Sequence, residues 1–435
     1  MRPKVVVVGA GFGGLAAVRG LAGVPVEVTL VDRNNFNTFQ PLLYQVATAG
    51  LNAADIAHAV RGIVRGIDNV TFRQGAVSGV DWDARTVALD DGDHLPFDVL
   101  LVAAGATAEY FGVPGAAEHA RPLYTLADAA SLRNHILGRF EAVDADPSLV
   151  DEGALTFAVV GGGATGVEVA GALAELFQVV LRRDFPRLDI GKAQIVLLEM
   201  GEDLLPAFGA SSRADARATL EDRGVEVRTG ETVAAVTPTS IRLGTGEELA
   251  AHTLVWAAGV KASPVAELLG VETTQGGRVV VGPGLRIPGH PEAYAVGDVA
   301  AIPDGRGGSL PGVAQVAIQS GRHVAAEIRR ELEGEAPVPF RYVDKGSMAT
   351  IGRRAAVAEI PVPGGGIVRL SGTPGWLAWL GLHLVYLVGF RNRASVLLNW
   401  AWNYLTWDRG PRLIFESRPP PSGRDGPAPG SDVVP

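Results

Sequence analysis

The stretch GGGATGVEVAG, Gly161 to Gly171, sets a carboxylate close to a place built for anions. A glycine loop that opens a helix offers unpaired N–H groups and the positive end of the helix dipole to a phosphate. Glu168 follows the last loop glycine by two residues, which places it in the first turn of the expected helix. Two readings stand. An acid in the first turn favours the helix dipole by about 0.3–1 kcal/mol and needs no further task. Alternatively, the carboxylate faces whatever part of a ligand is directed past that turn once its phosphates are held by Gly161, Gly163 and Gly166.

The loop has a counterpart at the start of the chain. Gly9, Gly11 and Gly14, with Phe12 and Gly13 between them, form G-x-G-x-x-G directly after the strand-like KVVVV. Asp32 ends the next strand, VEVTLVDR, about 20 residues on, where a carboxylate bonds ribose hydroxyls. In the second unit the corresponding acid is Glu199, in VLLEMGEDLL. It comes late because FQVVLRRDFPRLDIGK extends the helix and its return loop. Glu199 reads either as a strand-end surface charge or as a ribose ligand; in the latter role it repels a ribose phosphate and favours NADH over NADPH. FDVLLVAAGAT follows the first unit and AHTLVWAAGV the second, and Gly259, in the small-residue turn of the latter, joins the expected cofactor contacts.

These patterns predict an α/β chain with two Rossmann-like dinucleotide-binding domains. The first takes residues 1–112 and 291–340, the second 113–290. The usual division puts a flavin permanently on the first and a nicotinamide on the second. The 435 residues contain no cysteine, which excludes disulfides, thiolate metal ligands and a dithiol relay. The 8 histidines are scattered, so no metal site is expected; His383, inside an apolar segment, reads as a satisfied core or interface histidine. A net charge of −9 argues against a nucleic-acid partner. The N-terminus passes at once into a strand without a leader-like segment, so a cytosolic location, or the cytoplasmic face of the cell membrane, is expected.

Residues 341–417 differ from the rest. GWLAWLGLHLVYLVGF and ASVLLNWAWNYLTW flank a basic RNR, and five of the seven tryptophans lie between Trp376 and Trp407. From Arg341 to Arg418 there are 10 Lys/Arg against 4 Asp/Glu, a basic stretch in an acidic protein. As a helix, the first apolar run rises about 22 Å, short of the ~30 Å hydrocarbon core. It suits an interfacial, monotopic anchor, with tryptophans at headgroup level and Arg391 and Arg393 towards anionic lipid. A helix pair packed on the core or in a dimer interface fits the same pattern. Residues 418–435 are expected to be disordered.

NNFNTFQPLLYQVATAGL (Asn34 to Leu51), AAGATAEYFG, GGGATGVEVAGALAEL, AQVAIQSG, DKGSMATIGRRAAVA and GFRNR together resemble the type II NADH:quinone oxidoreductases. The resemblance runs from about Val5 to about Trp407. It implies a single-chain enzyme that oxidises NADH through FAD and reduces a membrane quinone without pumping protons. It also implies FAD contacts at the Gly9 to Gly14 loop, Asp32, Arg33, the Val77 region, Asp298 and Ala314, and an active-site role for Glu168. The same resemblance sets the quinone beside AQVAIQ, with Gln315 and Gln319 as polar contacts on one helix face; the residues alone equally allow a solvated stripe with Arg322. A soluble NADH:ferredoxin or rubredoxin reductase, and a flavin-bound redox sensor, are the competing functions. The former shares both nucleotide folds but has no need of the aromatic C-terminal segment.

Overall fold

Four valines in a row can be buried together only deep inside a sheet covered on both faces, and Val5 to Val8 all are. In the computed structural model, which describes residues 2–406 and 410–415, they form β1 (Lys4–Val8). It is followed by α1 (Phe12–Gly20) and pairs in parallel with β2 (Glu27–Asp32), Val5 opposite Val28 and Val8 opposite Val31. A short helix, α2 (Leu43–Ala47), precedes β3 (Val70–Gln74) and β4 (Val99–Val102), which lie beside β2 and β1 respectively. The expected tail, 418–435, and Trp407 lie outside the described residues.

The second unit repeats the plan. After β5 (Arg121–Pro122) and the long helix α3 (Leu126–Ala145) comes β6 (Thr156–Val160), buried at every position, and then α4 (Ala164–Glu175). β7 (Gln194–Glu199), β8 (Val225–Thr229) and β9 (Thr253–Trp256) complete a parallel sheet in the order β5-β9-β6-β7-β8. The chain then returns to the first sheet, where β10 (Arg286–Ile287) and β11 (His290–Ala295) give the order β10-β11-β4-β1-β2-β3. The duplication extends to single contacts. A Cβ at Gly14 would stand 1.9 Å from the Gly9 carbonyl oxygen, and one at Gly166 1.8 Å from that of Gly161, so only glycine lets each helix sit so close to its strand.

The return to the first module begins before residue 291. Ala262, Ala266, Leu269, Val279 and Leu285 are buried in its core, and β10 belongs to its sheet. Just before that return, Val260–Ala262 pairs antiparallel with Ala106–Ala108, a short ribbon joining the two modules beyond the ends of β9 and β4.

α5 (Ala314–Leu332) leads to an antiparallel sheet of β12 (Ser347–Gly352), β13 (Ala355–Val362) and β14 (Gly366–Ser371), then to α6 (Gly372–Tyr386) and α7 (Phe390–Thr406). β12 presses directly on α4: a Cβ at Gly171 would lie 2.1 Å from the Ile351 carbonyl oxygen. Among the described residues, the one helical run long and apolar enough to cross a bilayer is 164–184, and 72% of its apolar 18-residue stretch is buried inside the protein, so it is a core helix.

α7 turns its polar side inward. Asn392 donates to the Ala57 carbonyl at 3.0 Å, Ser395 and Asn399 donate to Asp55 at 2.6 and 2.9 Å, and Asn403 donates to the Gly50 carbonyl at 2.9 Å. The opposite side exposes Leu397, Leu398, Trp402 and Leu405, while α6 exposes Leu377, Leu382 and Val385. The tryptophans do not all act as the expected headgroup anchors. Trp379 and Trp400 are 1% and 4% exposed, held in the core cluster, and Trp402 is the exposed member among the described residues. Arg393 also departs from expectation: it donates to the Leu387 and Val385 carbonyls at 2.8 and 2.7 Å, capping the end of α6.

Gly171→Val is expected to destabilise the protein by about 3 kcal/mol, the upper range for overpacking, by levering β12 off α4. Denaturant melts of the flavin-loaded protein measure this; an unchanged midpoint would mean that the contact is not tight.

Candidate functional site

α1, α4 and α5 begin without side-chain caps. Gly11, Gly163 and Val313 occupy the N-cap positions, and none of the three helices has an acid in its first turn. Their leading N–H groups are thus left for a ligand. Phe12, Thr165 and Ala314, from those first turns, line one cavity of about 280 Å³ together with Tyr44, Tyr124, Glu168 and Gly259. Two nucleotide modules and a third helix end converge on it. Cβ atoms at Gly11 and Gly163 would meet nothing within 4 Å, so the approach to each loop is open.

The two strand-end acids, Asp32 and Glu199, occupy equivalent places. Asp32 accepts the Ala10 and Asn34 N–H groups, each at 2.7 Å, and Glu199 accepts those of Gly162 and Gly201 at 2.5 and 2.6 Å. Gly9 N–H donates to the Val31 carbonyl at 2.7 Å and Gly161 N–H to that of Leu198 at 2.8 Å. Glu199 therefore sits where Asp32 does, at the loop edge, and is more than a stray surface charge. Burial raises the Asp32 carboxyl above its usual range, opposed by its two backbone donors. These features fit an FAD on the first loop and an NADH on the second.

Other expected contacts are spread around the first loop. Asp298, raised by burial and pulled back by Arg278, hydrogen-bonds the Tyr124 hydroxyl, which also accepts the Ala106 N–H at 3.0 Å. Arg33 is exposed at the end of β2, and Val77 opens a separate antiparallel sheet packed on the first core. Neither lines the cavity. His383 stacks on Trp379 at 4.0 Å with its Nδ1 2.8 Å from the Trp379 carbonyl, and burial lowers it to about 4, so it is a neutral packing residue.

Glu168 is not in the first helical turn. α4 starts at Ala164, before the last loop glycine, so Glu168 is its fifth residue and the helix-dipole reading fails. The carboxylate is 9% exposed and accepts the Thr350 N–H of β12 at 3.3 Å. Burial pushes it up to about 8, against smaller pulls from that N–H and from Trp379, whose indole N–H lacks a hydrogen-bond partner of standard geometry. A carboxyl that is mostly protonated near neutrality, on a cavity wall, can give up a proton.

Gln315 and Gln319 share a helix face, as their spacing predicts, but the solvated-stripe reading does not hold. Gln315 donates to the Gly346 carbonyl at 3.0 Å and accepts the Lys345 N–H at 3.1 Å; Gln319 donates to the Val343 carbonyl at 2.9 Å and accepts the Val343 N–H at 3.0 Å. Both amides clamp the segment that enters β12. One N–H and one lone pair remain on each.

Sequence reasoning did not single out Tyr44, Thr350 or Trp379. Tyr44 lies within the NNFNTFQPLLYQVATAGL stretch, the one signal that pointed to it.

Comparison with known proteins agrees with this geometry. Residues 3–321 match the pyridine nucleotide-disulphide oxidoreductase family, and residues 345–407 match the NDH2 C-terminal domain. The chain is 41% identical over 433 residues to the type II NADH:quinone oxidoreductase Ndh of Mycobacterium tuberculosis, covering 96% of this chain and 91% of that protein. It is 33% identical over 367 residues to the type II NADH:quinone oxidoreductase of Staphylococcus aureus, covering 82% and 90%. The fold matches that of NDH2 from Plasmodium falciparum in complex with NADH, with a TM-score of 0.86 at 19% identity over 96% of this chain and all of that one. A sulfide:quinone oxidoreductase from Aquifex aeolicus follows at 0.74 and 18% identity, covering 93% and 95%.

The raised Glu168 carboxyl ties stability to pH. Between its ordinary 4.5 and about 8 the folded state keeps a proton that the unfolded chain releases, so this residue's contribution to stability falls as pH rises through that window. Glu168→Gln should therefore gain on the wild type from pH 5 to pH 8, by up to roughly 4 kcal/mol in denaturant melts. Parallel stability curves would contradict this.

Proposed function

The chain belongs to the type II NADH:quinone oxidoreductases, and from that premise we propose how its own residues carry the reaction. The net conversion is NADH + H⁺ + quinone → NAD⁺ + quinol. When bound, FAD supplies the two-electron carrier between donor and acceptor. The observation that carries this reading is the single cavity at which the uncapped N-termini of α1, α4 and α5 meet Glu168.

In this reading the Gly9 to Gly14 loop, Asp32, Arg33, the Val77 region, Asp298 and Ala314 hold FAD. Gly161, Gly163, Gly166, Glu199 and Gly259 hold NADH, with Glu199 turning away a 2′-phosphate. Gln315 and Gln319 keep the β12 lead-in fixed and have one N–H each left for a quinone carbonyl. Glu168 orients the nicotinamide side of the cavity and gives a proton to the quinone. The division of the chain into a first module, a second module and residues 341–417 follows these roles.

Quinones dissolve in lipid, so the enzyme must meet a bilayer. We assign the exposed apolar faces of α6 and α7 to a monotopic contact with the lipid surface, on the cytoplasmic side of the cell membrane where NADH is available. α7 supports this reading because its polar residues are already satisfied inward, leaving its leucines and Trp402 outward. A homodimer would cover the same face, and the mass of the solubilised protein separates the two. A ferredoxin-type reductase or a redox sensor has no use for such a face, and the match of residues 345–407 to the NDH2 C-terminal domain also weighs against both.

Glu168→Gln is expected to lower turnover about 100-fold with NADH and quinone both saturating, in the range of general acid catalysis, and to abolish a fall in rate above about pH 8. Unchanged turnover would return Glu168 to a structural role. Replacing Leu397, Leu398 and Leu405, which are 53%, 69% and 83% exposed, by serine should weaken binding to vesicles. At about 1–2 kcal/mol per leucine the loss is at least ~100-fold. Undiminished vesicle binding would refute the lipid assignment.

A further inference from the structure

The net reaction consumes one proton that NADH does not bring, and it must reach Glu168 while ligands occupy the cavity that this residue faces. A second cavity of about 60 Å³ is lined by Gln45, Glu175, Arg353, Asn403 and Tyr404 among others, and by Thr350 and Trp379, the two residues that contact Glu168. Its inner wall is buried, while Gly50, Arg353, Asn403 and Tyr404 at its rim are partly exposed. By volume it takes roughly four waters. The lining offers them carboxylate, guanidinium, amide and phenol partners, as an ordered water requires.

Tyr44 is the one residue that lines both this cavity and the reaction cavity. Its hydroxyl accepts the Gln45 Nε2–H at 2.8 Å, which leaves its own proton to be donated. Gln45 is in turn fixed by the Trp400 indole N–H at 2.8 Å, so the phenol is held from α7. Resting on the reading of Glu168 as the proton donor to quinone, we propose that the second cavity is a water-filled proton inlet and that Tyr44 passes the proton from it, through one bridging water, to Glu168.

The charged and titratable groups around this route come from every neighbouring element. They are Glu168 and Glu175 on α4, Arg223 paired with Glu175 at 2.8 Å, Arg353 at the β12–β13 turn, Tyr404 on α7, and the neutral His383 on α6, stacked on Trp379. Burial and then the charge of Glu168 push Tyr44 well above its ordinary range. Tyr44 therefore acts as a neutral relay: it takes a proton from water on one side as it releases one, through the bridging water, towards Glu168 on the other. Proton count is conserved and no electrons move.

The test uses the intact flavoprotein and two variants. Tyr44→Phe removes the hydroxyl and keeps the ring. Ala172→Val adds two methyl groups to the α4 wall of the second cavity and leaves every polar side chain of its own type. The readout in resting protein is hydrogen–deuterium exchange of the Glu168 carboxylic acid, followed by its infrared C=O band and identified by its loss in Glu168→Gln. Exchange at least 10-fold slower in both variants is expected. Slowed quinone reduction, with a larger solvent isotope effect and rescue by a small diffusible acid such as imidazolium, is expected alongside it. Exchange as fast as wild type in both variants, with flavin content confirming that they fold, would overturn the inlet. That outcome leaves the role of Glu168 untouched, whereas full quinone turnover in Glu168→Gln would remove the role itself.

Discussion

The architecture depends on three helix N-termini left uncapped around one volume. A helix end without a side-chain acceptor leaves its first N–H groups unsatisfied, and such an end is stable inside a protein only where water or a ligand completes it. Here Gly11, Gly163 and Val313 stand where serine, threonine or aspartate would normally cap. Much else follows from that shortage. The loops are open, the ribose acids are pinned at their edges by backbone N–H groups, and the first turns carry no competing carboxylate. Glu168 comes from the second turn of α4 and turns its carboxyl towards β12.

The C-terminal region closes this arrangement. β12 meets α4 at Gly171 and supplies the Thr350 N–H to Glu168, and α6 brings Trp379 against the same carboxylate. α7 fixes Gln45 through Trp400 and the 50–57 segment through Asn392, Ser395, Asn399 and Asn403. The same two helices therefore line the smaller cavity behind Tyr44 with one side and present leucines outward with the other. The exposed apolar face and the geometry around Glu168 are parts of one structural unit.

The portions of the fold readable from the chain are those set by local rules. Valine runs, glycine spacing and the acid at the end of the next strand all act within some 40 residues, so both modules and the pairing of Asp32 with Glu199 were legible. The position of Glu168 in its helix was not, because the helix begins inside the glycine loop, a matter of where the strand ends. The partners of Gln315 and Gln319 lie 24 to 31 residues away on an irregular segment, which spacing along α5 cannot reveal. Trp379 and Trp400 were hidden by composition: an apolar segment reads alike whether a tryptophan faces lipid or core. The asparagine and serine stripe of α7 was present in the sequence, and only the docking of that helix shows that it faces inward.

The central claim is that one cavity couples both nucleotide modules to a quinone. Anaerobic stopped-flow absorbance of the purified flavoprotein tests it most directly. On this account NADH bleaches the flavin band with one equivalent per chain, and added short-chain quinone restores it. A flavin that is bound but left unbleached by NADH, or bleached and then indifferent to quinone, would contradict it.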